Sequence, residues 1–125
     1  MSYQETATQL HESGQNCCQS VLGACCERFG LTANQASHLG AFLGGGARKG
    51  ELCGAVSGAL LALGLAYGDE NNRQCAKSEE MLNAFVEKFG TLRCGELVGP
   101  DKAERKQVCP AFINWCAQYL EDEFK

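Results

Sequence analysis

Leu52-Cys53-Gly54-Ala55-Val56-Ser57-Gly58-Ala59-Leu60-Leu61-Ala62-Leu63-Gly64-Leu65-Ala66-Tyr67 is the stretch that decides the fold. Wound as a helix, it carries Ala55, Val56, Ala59, Leu60, Leu61, Leu63 and Leu65 on every side of its axis. A helix that is apolar all round is one enclosed by other helices. The run is too short and too rich in glycine to cross a bilayer. Gly54, Gly58 and Ala62, spaced by four, leave one flat edge where a second backbone can come close. Gly68 stops the helix.

The neighbouring segments supply what encloses it. Upstream, Leu10, Cys17, Val21 and Ala24 recur at helical intervals, and so do Cys18, Leu22, Cys25 and Phe29. These two adjacent stripes predict one deep helix over residues 3–29, kinked at Gly14 and closed by Gly30. Thr32 or Asn34 caps a short second helix through Phe42. Residues 44–50, Gly-Gly-Gly-Ala-Arg-Lys-Gly, form a flexible loop whose local charge is basic. Downstream, a helix over residues 73–89 buries Leu82, Phe85, Val86 and Phe89. Thr91 starts a short turn carrying Cys94, Gly99-Pro100 breaks the chain, and Asp101 caps a polar turn. Pro110 opens the last helix, where Cys109, Ile113, Cys116 and Leu120 share a stripe. No segment alternates with the period of a strand. The expected architecture is all-α: a single-domain bundle of about five helices, residues 1–125, around the helix at 52–67.

Bulk composition narrows the function. A chain of 125 residues buries about two-thirds of its unfolded surface and needs no staples to hold a core. Its net charge of −4 does not suit a phosphate-tracking surface, so nucleic acid is not an expected partner, and neither is a membrane. Met1-Ser2-Tyr3-Gln4-Glu5-Thr6-Ala7 has neither a basic nor an apolar leader region, which sets the expectation of a cytoplasmic protein. A redox partner protein and self-association are both compatible with such a chain.

Cysteine is the anomaly. Nine occur, at 17, 18, 25, 26, 53, 75, 94, 109 and 116. In a reducing compartment such a set is metal-binding, redox-active or buried as packing. Cys18, Cys25 and Cys116 sit on apolar stripes and read as small hydrophobes. Cys26 and Cys75 have charged neighbours and read as partly exposed. Cys53 falls at the first turn of the central helix, just after Arg48 and Lys49, where free N–H groups and the helix dipole favour a thiolate. Cys109 before Pro110, and Cys94 near the head of its turn, occupy comparable helix starts. Cys17 reads as mid-helix. There is no C-x-x-C, hence no ribbon-type zinc site and no thioredoxin-type dithiol. Four separated thiolates can still build a tetrahedral zinc or iron–sulfur site if the bundle gathers them. The glycine loop lacks the G-K-[ST] of a phosphate cradle. His11 and His38 stand without partners at ligand spacing and read as solvated or helix-end histidines.

Taken in order, Asn16-Cys17-Cys18-Gln19-Ser20-Val21-Leu22, Cys53-Gly54-Ala55-Val56-Ser57-Gly58, Phe89-Gly90 with Cys94, and Cys109 resemble the C_GCAxxG_C_C family of redox-active proteins. The resemblance runs from about residue 14 to residue 112. It implies that Cys17, Cys53, Cys94 and Cys109 are the functional four, and it moves Cys17 from the core side into the site. Three readings follow. The first is a thiol–disulfide redox protein with Cys53 as attacking thiolate and Cys17, Cys94 or Cys109 resolving. The second is a metal or iron–sulfur module using the same four thiolates. The third is a helical interaction protein whose cysteines are packing.

Overall fold

The structure, a computed structural model, describes residues 1–69, 75–99 and 102–125, and of residues 75, 102 and 103 the backbone alone. Seven α-helices appear in order: α1 (Tyr3–Glu12), α2 (Cys17–Cys25), α3 (Ala33–Gly40), α4 (Gly54–Tyr67), α5 (Cys75–Phe89), α6 (Cys94–Val98) and α7 (Lys102–Glu123). A 3-10 segment, Cys26–Phe29, extends α2. The described residues contain no strand, so the all-α expectation holds with more helices than five. Their only β-type pairing is an isolated antiparallel bridge, Leu52 to Arg93.

α4 is the centre, as its composition requires. It packs against α2, α7 and α5, and its residues from Gly54 to Leu63 are largely buried. The last turn emerges, with Leu65 at 45% exposure. The flat edge predicted from the spacing of small residues is where α2 lies. A Cβ on Gly58 would stand 2.8 Å from the Cys18 carbonyl oxygen and 3.1 Å from Val21 Cβ. Opposite, Phe85, Phe89, Phe112 and Trp115 join α5 to α7 through edge-to-face and tilted rings.

Several boundaries differ from the sequence reading, each for a local reason. The single helix over residues 3–29 is two helices. Gly14, at φ +111°, ends the first. Asn16 then starts α2 with a reciprocal cap: its side chain accepts from the Gln19 N–H, and the Gln19 side chain accepts from the Asn16 N–H. Cys17 is thereby the first residue of a helix and not the middle of one. α3 takes Thr32 as its cap and ends at Gly40, leaving Phe42 79% exposed. α5 buries Met81 and Phe85, while Val86 faces outward; its expected start at residue 73 lies outside the described residues, as do the break at Pro100 and the cap at Asp101. α7 begins at Lys102, so Pro110 sits inside the helix and not at its head. There the proline removes one ladder hydrogen bond, that to the Lys106 carbonyl. Cys26 is buried, not partly exposed, because the 3-10 segment turns its thiol inward to the Gly23 carbonyl at 3.3 Å.

The same substitution at two glycines of α4 should act in opposite directions. Gly64 is exposed, with nothing within 4 Å of an added Cβ, so Gly64→Ala should stabilise by about 0.5–1 kcal/mol. Gly58→Ala must push α2 away and should destabilise by roughly 1–3 kcal/mol despite the same helix-propensity gain. Urea denaturation of both variants decides; equal signs would contradict the α2–α4 packing. The core thiols make a second expectation. Burial pushes Cys18 and Cys25 up to about 12, so the folded state keeps protons that the unfolded state releases above pH 9. Raised acids of this kind lose stability as pH rises, by roughly 3 kcal/mol per pH unit for the two together. Denaturation under reductant from pH 8 to 10.5 should show that fall, and a flat profile would refute it.

Candidate functional site

Three segments, two of them carrying cysteines, meet at one end of α4, and hydrogen bonds fix each. The first is the head of α2. Besides capping its own helix, Asn16 donates through Nδ2 to the Gly40 and Ala41 carbonyls at 3.0 and 3.3 Å. Gln19 donates to the Ser37 carbonyl at 2.9 Å. Cys17 is therefore held against the end of α3 and the loop beyond it. Gly44 makes the room: a Cβ there would lie 2.6 Å from Asn16 Cβ.

The second segment is the glycine loop, which winds into a left-handed, hydrogen-bonded turn. Gly45, Gly46, Ala47 and Arg48 all have left-handed backbone, at φ 62°, 64°, 56° and 63°. Two of these are not glycine, and each such residue costs about 1–2 kcal/mol. The Glu51 N–H closes the turn onto the Gly46 carbonyl at 3.0 Å. Arg48 and Lys49 point into solvent, so they do not supply the basic charge expected beside Cys53.

The third is the bridge between residues 51–53 and 92–94. The Cys53 N–H donates to the Leu92 carbonyl at 2.8 Å, and the Cys94 N–H to the Glu51 carbonyl at 2.6 Å. This pairing seats the head of α6 beside the head of α4, with Gly95 packed on Gly50. Cys109 comes in from α7, one residue before Pro110.

The four cysteines that the family resemblance singles out thus converge. Cys109 interacts directly with Cys17, and the charges of others in the group bear on Cys53, Cys94 and Cys109. Gly54 lets Cys17 in: a Cβ there would be 2.9 Å from Cys17 Sγ. Cys17 and Cys109 are half-buried, whereas Cys53 and Cys94 are each 4% exposed. Cys18 and Cys116 lie deeper, fully buried, and act as core.

Their acidities separate sharply. The hydrogen bond from Cys109 lowers Cys17 to about 6 against the penalty of burial, helped by the N–H groups of Gly45 and of Cys17 itself and by the charge of His11. The same pair interaction, with burial, holds the Cys109 proton far above the ordinary thiol range. Burial dominates at Cys53, whose thiol is raised to about 11 although its sulfur lies toward the Val56 and Ala55 N–H groups; it makes no regular side-chain cap. Burial also raises Cys94, with the nearby Arg105 cation opposing. Position at a helix start therefore does not make Cys53 the thiolate. That character falls to Cys17.

Two residues of the site carried no sequence signal for this role. Arg105 reaches it only because α7 starts well before Pro110, and His11 only because α1 ends where it does. His38 is exposed, as expected of a solvated histidine. Among the described residues no three cysteine, histidine or acidic side chains are arranged to hold a metal ion. The donors present form a hydrogen-bonded thiol pair with two buried thiols beside it, which does not match a four-thiolate cage.

No helix is long and apolar enough to cross a membrane among the described residues. No curated protein and no solved structure matches the chain. One family model does, over residues 15–123, under the description "Putative redox-active protein (C_GCAxxG_C_C)". The cysteines, the glycines that admit them and the helices that carry them all fall within that match, and the chain belongs to this cysteine-rich redox-active family.

Proposed function

We propose that the protein performs thiol–disulfide exchange, with Cys17 as the attacking thiolate and Cys109 as the resolving thiol. One observation carries this reading: Cys17 and Cys109 line one cleft together, close enough for the Cys109 thiol to favour a Cys17 thiolate. A thiol near 6 is roughly nine-tenths thiolate at pH 7, where an ordinary thiol is only a few per cent ionised. It also stays nucleophilic, since attacking thiols work best with acidity near ambient pH.

The step balances within the pair. Cys17 attacks one sulfur of a substrate disulfide, forms a mixed disulfide and expels a thiolate. Loss of the Cys17 charge removes the largest cause that holds the Cys109 proton in place. Cys109 then gives its proton to the departing thiolate and attacks Cys17 Sγ, releasing the second substrate thiol. The substrate disulfide gains two electrons and the protein pair loses two, ending as a Cys17–Cys109 disulfide. Cys94 lines the same cleft, which makes it the next thiol for exchange. The cytosol, where a dithiol reductant would restore the pair, is the compartment this chemistry suits.

Alkylation of the reduced, oxygen-free protein across pH tests the assignment. Cys17 should be the fastest thiol at pH 7, with an inflexion near pH 6 and a tenfold fall per unit below it. Cys109→Ala removes the donor and should move the inflexion up by more than one unit, whereas Cys109→Ser keeps an O–H donor and should move it less. Mild oxidation should link Cys17 to Cys109 in peptide maps. An inflexion at 8.5 or above, or stoichiometric zinc or iron that blocks Cys17 until a chelator is added, would overturn the reading.

A further inference from the structure

Beside the thiol pair opens a cleft of about 200 Å³. Cys17, Cys94 and Cys109 share its lining with His11, Arg105 and Lys106, and among the described residues no aspartate or glutamate joins them. In a chain whose net charge is −4, a cleft lined by basic side chains without a carboxylate stands apart from the rest of the surface.

Arg105 is its specific feature. The Nε–H is buried and has no hydrogen-bond partner. Among the described residues no ion pair engages its guanidinium. One terminal nitrogen, Nη1, stands 3.1 Å from where a Cβ on Gly45 would be, so the group lies along the wall that the glycine loop forms. Its charge reaches Cys94. A guanidinium presents a planar fork of donors that matches a carboxylate, and here the buried Nε–H of that fork is unfilled. Volume restricts what fills it. Water takes about 30 Å³ per molecule in the liquid, so the cleft holds roughly six or seven groups of that size. That is a short carboxylate-bearing thiol arm and far less than a folded protein's disulfide loop.

We propose that the cleft takes one half of a small-molecule disulfide with a carboxylate two or three carbons from its sulfur, and that Arg105 holds this carboxylate while Cys17 attacks the near sulfur. The proposal rests on the thiol–disulfide reading above and names its substrate class. Cys17 displaces the distal arm as a thiolate, which takes the Cys109 proton. Cys109 then displaces the bound arm from Cys17, and that second thiolate takes a proton from solvent. One substrate disulfide becomes two thiols, and a dithiol donor returns the protein pair to its reduced form.

Three small disulfides of different charge separate the outcomes: 3,3′-dithiodipropionate with carboxylates, bis(2-hydroxyethyl) disulfide without charge, and cystamine with ammonium groups. Each is mixed with reduced protein, and formation of the Cys17–Cys109 disulfide is timed by acid quench and peptide mass. Rates are divided by those of dithiothreitol with the same disulfide, which removes their intrinsic reactivity. The carboxylate compound should exceed the neutral one by about tenfold, with cystamine slowest. Arg105→Gln should shrink that ratio to about threefold or less, and Arg105→Lys should keep part of it. Equal normalised rates for the three would overturn the proposal and leave thiol–disulfide exchange standing. So would hydrogen peroxide oxidising the pair faster than dithiodipropionate at equal concentration. Failure of all three to oxidise the pair would instead remove the underlying reading. Should Arg105→Gln fail to fold, the charge series on the unaltered protein still decides.

Discussion

The first turn of α2 sits in a slot that only glycine can make, and the site depends on that slot. Gly44 receives Asn16, Gly54 receives the Cys17 sulfur, and Gly58 receives the backbone at Cys18. Each would place a Cβ within 3 Å of its neighbour, closer than real contacts allow. The slot therefore dictates side chains from three places in the sequence at once. It also explains why Cys53 is followed by Gly-Ala-Val-Ser-Gly: the two glycines face α2 four residues apart, while Ala55 and Val56 fill the other side of the helix. Packing and chemistry are one constraint here, because moving α2 outward by a methyl group would also move the sulfur of Cys17.

Two cysteines at helix starts end with opposite acidities, and the comparison isolates what tunes them. Cys17 and Cys53 both face free N–H groups at helix heads. Both suffer desolvation, which favours the neutral thiol. The difference is the partner. Cys17 receives a direct S–H hydrogen bond from Cys109, and Cys53 has only neighbouring sulfurs whose charge would repel its own. A helix terminus therefore offers too little to ionise a thiol that is almost fully buried, whereas one well-placed donor tips a half-buried one.

Much of this arrangement was legible in the sequence, and the failures have physical reasons. The all-round apolar run identified α4 as central, and the spacing of Gly54, Gly58 and Ala62 identified the edge where α2 docks. The start of α2 is hidden because Leu10 and Cys17, seven residues apart, keep one helical register across the polar residues 13–16, although Asn16 and Gln19 spell out a reciprocal cap three residues apart. Pro110 misled in the other direction. Proline favours a first turn, but here α7 absorbs it eight residues in, which carries Arg105 and Lys106 onto the site. Cys53 was favoured over Cys17 because sequence shows proximity to a helix head and not depth of burial. The hydrogen bond between residues 17 and 109 joins positions far apart in the chain, and no local pattern encodes it.

The left-handed turn after Gly44 shows how the three cysteine-bearing segments are tied into one unit. Ala47 and Arg48 adopt a backbone that disfavours residues with a Cβ, at a combined cost on the order of 2–4 kcal/mol. Such strain persists only where surrounding contacts over-determine it. Those contacts are all functional neighbours here. The Gly45 N–H reaches the Cys17 sulfur, Gly46 lies against Cys94, and Glu51 closes the turn before its carbonyl receives the Cys94 N–H. A relaxed loop of the same length would free the residue pair 51–53 from its bridge to residues 92–94 and release the head of α6. The strained turn instead holds the head of α2, with Cys17, beside the heads of α4 and α6, with Cys53 and Cys94.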